Sequence, residues 1–122
     1  MSWNFNDDRP IYVQLMEQIQ LRIVSGIYKA GDKLPSVRDM AADAAVNPNT
    51  MQKALTELER TGLVFSQRTS GRFITEDISM IKDIRNGLAK EQIEKFLFNM
   101  EKIGYTKQET IQLIEVISKE MK

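Results

Sequence analysis

Neither cysteine nor histidine occurs in this chain of 122 residues. Without cysteine there are no disulfides and no thiolate metal sites, and without histidine the commonest general base and metal ligand is gone as well. No nucleophile–base pair or metal cluster stands out among what remains, so no catalytic residue, metal or cofactor is expected. Long apolar runs are also lacking. None approaches the roughly 18 to 20 residues of a membrane span. The opening Met1-Ser2-Trp3-Asn4-Phe5 leads into Asp7-Asp8 instead of a basic, then apolar, leader. No membrane partner is expected, and the expected location is the cytoplasm. The last absence is an excess of charge of either sign, since 17 basic residues face 17 acidic ones. That balance argues against nucleic-acid binding, for which a visibly basic domain is the rule.

What is present argues the other way. With 42% apolar and 28% charged residues the composition is that of a soluble globular domain, long enough for one core and a small appendage. In Leu34-Pro35-Ser36-Val37-Arg38-Asp39-Met40-Ala41, Pro35 ends an extended segment and Ser36 is placed to cap a helix. Asp39, three residues on, completes a capping-box spacing. Val37, Met40, Ala41 and Ala44 then give that helix one buried stripe. Asn47 caps the chain again, and Pro48 takes the first helical position, where its missing N–H has no intrahelical partner to lose. Two short capped helices separated by a tight turn form a helix-turn-helix.

On the second helix Met51, Ala54, Leu55 and Leu58 share one side, with Asn49, Lys53, Thr56 and Arg60 opposite and Thr50 and Gln52 on the flanks. Amides can pair with adenine, Lys can donate to guanine, and a Thr hydroxyl reaches base or phosphate. The same face would also suit an ordinary solvated helix. After Gly62, Leu63 to Gln67 reads as a strand, Arg68 to Gly71 as a turn and Arg72 to Thr75 as a returning strand. A hairpin in this place is the wing of a winged helix-turn-helix. Its charged residues, Arg68 and Arg72, are both positive, which suits phosphate or minor-groove contact.

Charge is also unevenly spread. Nine basic residues face six acidic ones between Arg9 and Thr75, against eight and nine beyond. A monomer so weakly basic would bind DNA poorly, which calls for two copies on adjacent half-sites.

Pro10-Ile11-Tyr12-Val13-Gln14-Leu15, Leu34-Pro35-Ser36-Val37-Arg38, Val46-Asn47-Pro48-Asn49-Thr50, Leu58-Glu59, Gly62-Leu63-Val64, Gly71 and Phe73 together resemble the DNA-binding domain of GntR-family bacterial transcription regulators. Asn47-Pro48-Asn49-Thr50 with a short tail looks like the YtrA-like subfamily. The resemblance implies that Ser36 and Arg38 meet the DNA backbone or a guanine. It further implies that Asn47, Asn49, Thr50, Gln52 and Lys53 work in the major groove or on phosphate, and that Arg68, Ser70, Gly71 and Arg72 form the wing contact. Two positions depart from the family: Pro48 stands where an Arg is usual, and Thr69 where a Gly is usual, which makes the wing tip bulkier and less free in φ. YtrA-like regulators often repress ABC-transporter operons together with their own gene.

Around this domain, taken as residues 1–75, Leu15, Ile19, Arg22 and Ile23 set the buried side of a helix from about Pro10 to Ser25. Trp3 and Phe5 precede it in an arm that could clip onto the body or a partner subunit. In residues 76–122, Thr75 is placed to cap a long helix with a polar break near Gly87. Ile78, Ile81, Ile84 and Leu88 form one stripe on it, and Ile93, Phe96, Leu97 and Met100 a second. Thr106-Lys107-Gln108-Glu109 opens a last helix carrying Ile114 and Ile117. So much apolar surface points to a dimerisation element, the alternative being packing on the same chain.

The expected fold is mainly α with a small β-hairpin, a winged helix-turn-helix plus a two-helix tail. The expected function is a homodimeric regulator, a repressor, on a palindromic double-stranded DNA operator. A winged-helix module for protein–protein interaction is the alternative. The 45 or so residues after the wing are too few to enclose a metabolite by themselves, which leaves any effector unidentified.

Overall fold

The computed structural model describes residues 2–121. Five helices and one hairpin follow in the order α1 (Ile11–Val24), α2 (Val37–Ala44), α3 (Pro48–Thr61), β1 (Val64–Gln67), β2 (Gly71–Ile74), α4 (Ile78–Ile103) and α5 (Lys107–Glu120). The fold is thus mainly helical with a small antiparallel hairpin, as the sequence predicts. By compactness it divides into two units, Met1–Arg85 and Asn86–Lys122.

The first unit is built around the stripe Leu15, Ile19 and Ile23 of α1, which shares a core with Met51, Ala54, Leu55 and Leu58 of α3. Met40, Ala41 and Ala44 of α2 join them, and Leu34, Leu63, Val64 and Ile74 close the core on the hairpin side. Full burial of each large aliphatic side chain stabilises this unit by about 1.5–3 kcal/mol before entropy is counted. Met80, Ile81 and Ile84, in the first turns of α4, also pack against this core.

In the hairpin Val64 pairs with Ile74 and Gln67 with Gly71. A third extended segment joins it, through a bridge between Lys33 and Phe73. There the Leu34 N–H donates to the Arg72 carbonyl at 2.9 Å, and the Ile74 N–H to the Asp32 carbonyl at 2.8 Å. This edge was not foreseen because Asp32-Lys33-Leu34 is too short to show alternation.

The N-terminal arm clips onto the body of its own chain. The Gln14 amide exchanges bonds with the Asn6 backbone at 2.8 and 2.9 Å, and Gln18 does the same with Asn4 at 3.2 and 2.6 Å. Two glutamines one turn apart on α1 thus hold alternate peptides of the arm much as a neighbouring strand would. Trp3 stacks on Phe5, lies 3.5 Å from the Arg22 guanidinium and donates its Nε1–H to Asp43 of α2 at 2.8 Å.

The start of α4 differs from the sequence expectation. Thr75 is not the cap. Its N–H is taken by the Leu63 carbonyl at 2.8 Å, and its hydroxyl accepts the Asp77 N–H at 3.1 Å. The chain therefore turns two residues later, and Asp77 Oδ1 accepts the Met80 N–H at 3.0 Å in the capping role.

In the second unit α4 ends at a Schellman closure. Gly104, at φ +105°, donates to the Glu101 carbonyl, and the Tyr105 N–H donates to the Met100 carbonyl. The capping box at Thr106 and Glu109 is present in both directions and opens α5. Among the described residues of this unit Thr110 is the one that is fully buried. No described helix is long and apolar enough to cross a membrane.

Candidate nucleic-acid interface

The outward face of α3 is set by what it buries. Asn47 adopts extended backbone and its Oδ1 accepts the Asn49 N–H at 2.8 Å, with Pro48 in the first helical position. With Met51, Ala54, Leu55 and Leu58 turned inward, Asn49, Gln52, Lys53 and Thr56 are exposed and Thr50 is half-buried. Lys53 is not fully free, because its ammonium stands over the Tyr12 ring at 3.9 Å from the centroid. A cation on an aromatic face in water gains about 0.5–1 kcal/mol, enough to bias its direction.

α2 supports this helix from the N-terminal side. The Ser36 Oγ accepts the Asp39 N–H at 3.1 Å, one half of the predicted capping box, and Arg38 in the first turn is exposed. The turn into α3 is a second Schellman closure, with the Val46 N–H on the Ala41 carbonyl and the Ala45 N–H on that of Ala42. Its left-handed residue is Ala45 at φ 57°, the one non-glycine with positive φ among the described residues. A Cβ in that conformation costs about 1–2 kcal/mol.

The wing is a three-residue loop of Arg68, Thr69 and Ser70, closed by the Ser70 N–H on the Gln67 carbonyl at 3.1 Å. Arg68, Thr69 and Ser70 are exposed. Thr69 does not take positive φ; the left-handed demand falls on Gly71, at φ +105°. A Cβ on Gly71 would also come within 3.3 Å of Lys33 Cε. An open cleft of about 740 Å³ lies between the wing and the start of α2, lined by residues 33–37 and 69–72. It brings Ser36 together with Ser70, Gly71 and Arg72, while Arg38 and Arg68 lie outside its lining.

Arg72 is not a free wing cation. Its side chain is 17% exposed, and its Nε is ion-paired with Glu59 of α3. The same Glu59 oxygen accepts the Ser66 hydroxyl at 2.6 Å, and Arg72 Nη1 reaches Gln52 Oε1 at 3.5 Å. Burial alone would raise the Glu59 carboxyl, but the bonds from Ser66 and Arg72, with the Arg72 charge, outweigh it and hold the group below its ordinary value. Glu59 and Ser66 were given no role from the sequence, where Glu59 and Tyr12 stand only among the residues that carry the family resemblance. Only the seven-residue spacing of Gln52 and Glu59, which puts both on one helix face, could have hinted at the link.

Of the predicted tail residues, Ile81 and Ile84 are half-buried against the core of the first unit. Leu88, Leu97 and Met100 are half-buried, and Ile78, Ile93, Phe96, Ile114 and Ile117 are exposed. Among the described residues there is no acidic cluster that could hold a metal ion.

Two capped helices with the second presented outward, followed by a winged hairpin, define a DNA-binding winged helix-turn-helix. Residues 11–74 match the family described as bacterial regulatory proteins, gntR family. Over 118 residues the chain is 39% identical to the uncharacterized HTH-type transcriptional regulator YhcF of Bacillus subtilis, covering 97% of this chain and 98% of that protein. It is 35% identical over 114 residues to the HTH-type transcriptional repressor YtrA of the same organism, covering 93% and 88%. The solved structure of a GntR family transcriptional regulator from Listeria monocytogenes is similar with a TM-score of 0.84 at 41% identity, over 91% of this chain and 97% of that one. The chain belongs to the GntR family of transcription regulators, and is a DNA-binding protein, not an enzyme.

Proposed function

We propose that this regulator is a homodimeric, sequence-specific repressor of the YtrA-like subfamily, acting in the cytoplasm on a palindromic operator. The observation that carries the reading is the polar face of α3, where Asn49, Gln52 and Lys53 stand exposed above a fully buried stripe. Each α3 enters a major groove, with its mate about one helical turn away. Ser36, Arg38, Asn47 and Thr50 take backbone or base contacts around it, and Arg68, Ser70, Gly71 and Arg72 make up the wing. Repression and the subfamily are supported by the likeness to YtrA over most of both chains. An ABC-transporter operon and the protein's own gene are the targets to examine first.

Dimerisation is supported by the apolar residues that the tail leaves in solvent, among them Ile93, Phe96, Ile114 and Ile117. Pairing two tails would cover them and supply the two-fold axis that a palindrome requires. Residues 1–75 then bind DNA, and residues 76–122 include the pairing element.

Fluorescence anisotropy against the protein's own upstream DNA tests the reading. Arg38→Ala should weaken specific binding by about 1–3 kcal/mol if Arg38 meets a guanine. Unchanged binding would remove Arg38 from the interface, and equal affinity for unrelated DNA would remove sequence specificity.

A further inference from the structure

We propose that Arg72 is a positioning residue that turns Gln52 into a hydrogen-bond donor toward DNA, so that the recognition helix reads guanine, not adenine, at the base pair Gln52 meets. This rests on the DNA-binding reading above and concerns what α3 selects. By composition alone a glutamine on a recognition helix suggests adenine, whose N6–H donates to the amide oxygen while N7 accepts from the amide nitrogen. That pairing needs oxygen and nitrogen side by side on one base edge.

The side chain of Gln52 is not arranged that way. A guanidinium only donates, so the atom of Gln52 that faces Arg72 Nη1, at 3.5 Å, is its oxygen. Arg72 is itself anchored. Its Nε is bound to Glu59, two helical turns from Gln52 on the same helix, and Glu59 is held in turn by the Ser66 hydroxyl. Arg72 is largely buried, whereas Gln52 is exposed. The anchored partner therefore directs the exposed one. With its oxygen turned to the wing strand, the amide offers its NH2 to the groove. The oxygen keeps one lone pair, but it already faces a cation, so the NH2 is the part of the amide that is better placed to bond a base. The Arg72 charge adds to the bias, because it favours an edge of acceptors, which guanine offers at N7 and O6, over one that includes the N6–H2 donor of adenine.

The test is to select DNA from a randomised pool with the wild-type chain, with Gln52→Ala and with Arg72→Met, and to sequence what each retains. The base pair whose preference disappears in Gln52→Ala is the one that Gln52 meets. In the wild type it should be G·C over A·T by at least about fivefold. In Arg72→Met the preference at this base pair alone should move toward A·T, because the freed amide can turn both its atoms to adenine. Circular dichroism of the variants shows whether they are folded, and Arg72→Leu is read in the same way if Arg72→Met is not. A wild-type preference for A·T at that base pair overturns the proposal. So does an Arg72→Met variant that binds every sequence more weakly with its base preference intact, since Arg72 would then be a backbone contact only. Gln52→Ala with no change at any position overturns it too. A wild-type chain that enriches no sequence fails at the earlier step, and it is the DNA-binding reading itself that falls.

Discussion

The two units of this chain use apolar residues in opposite ways. In the first, Leu15, Ile19, Met51, Leu55 and Leu63 are at most 1% exposed. In the second, Ile93 is 57%, Phe98 59% and Ile117 43% exposed, and the fully buried residue is a threonine. Apolar residues recur at helical spacing in both, most regularly in α2 and α3 and least regularly along the long α4. The winged helix finds partners for its stripes among its own elements. In the tail the same kind of stripe faces solvent, a costly arrangement for a lone chain and the expected one for an element that pairs with a second copy.

The sharpest way to break this contrast is to charge the exposed faces. Ile93→Glu combined with Ile117→Glu should leave the first unit folded but give a monomer in sedimentation equilibrium at micromolar concentration. Operator affinity should then fall by about a hundredfold to ten-thousandfold, as the second half-site is no longer engaged within one complex. A variant that remains dimeric would place the pairing surface elsewhere. In the first unit the converse substitution acts on folding. Leu55→Ala should cost about 2–5 kcal/mol in denaturant unfolding, with the oligomeric state of the folded fraction unchanged.

Next in size is the link between recognition helix and wing. Because the Glu59 carboxyl is held below its usual value in the folded chain, its stabilising effect is complete above the unfolded carboxylate range. It is lost as pH falls through the lower, folded value. Glu59→Gln should therefore lower stability by about 0.2–1 kcal/mol at neutral pH. The difference from wild type should vanish in acid; a gap that persists there would point to packing and not charge. An effect of similar size compares the two Schellman closures, one with Gly104 and one with Ala45. Ala45→Gly removes a left-handed Cβ at the expense of backbone entropy, for a net gain of about 0.5–1 kcal/mol in thermal unfolding.

Much of the fold was legible because its signals are local. Ser36, Asn47 with Pro48, and the Thr106–Glu109 box satisfy N–H groups within their own first turn, and these bonds form as the spacing predicts. Thr75 shows where such signals run out. It and Asp77 are both capable caps two residues apart, and the choice fell to Asp77 because the Thr75 backbone is held by Leu63 across the fold. The interface was legible in the same uneven way. Which residues of α3 face outward followed from its buried stripe, but Arg72 read as a free cation of the wing. Its partner Glu59 lies 13 residues away on another element, and no spacing rule connects them.

The sequence by itself determined the capped helices, the hairpin, the family and the absence of thiolate chemistry, since each depends on residue type or on neighbours within a turn or two. Only the tertiary structure decided that the arm with Trp3 clasps its own chain, that Glu59 ties the wing to α3, and that Arg72 faces the oxygen of Gln52. These depend on groups far apart in sequence being brought within hydrogen-bonding distance, which is settled by the packing of the core beneath them and not by any pattern along the chain.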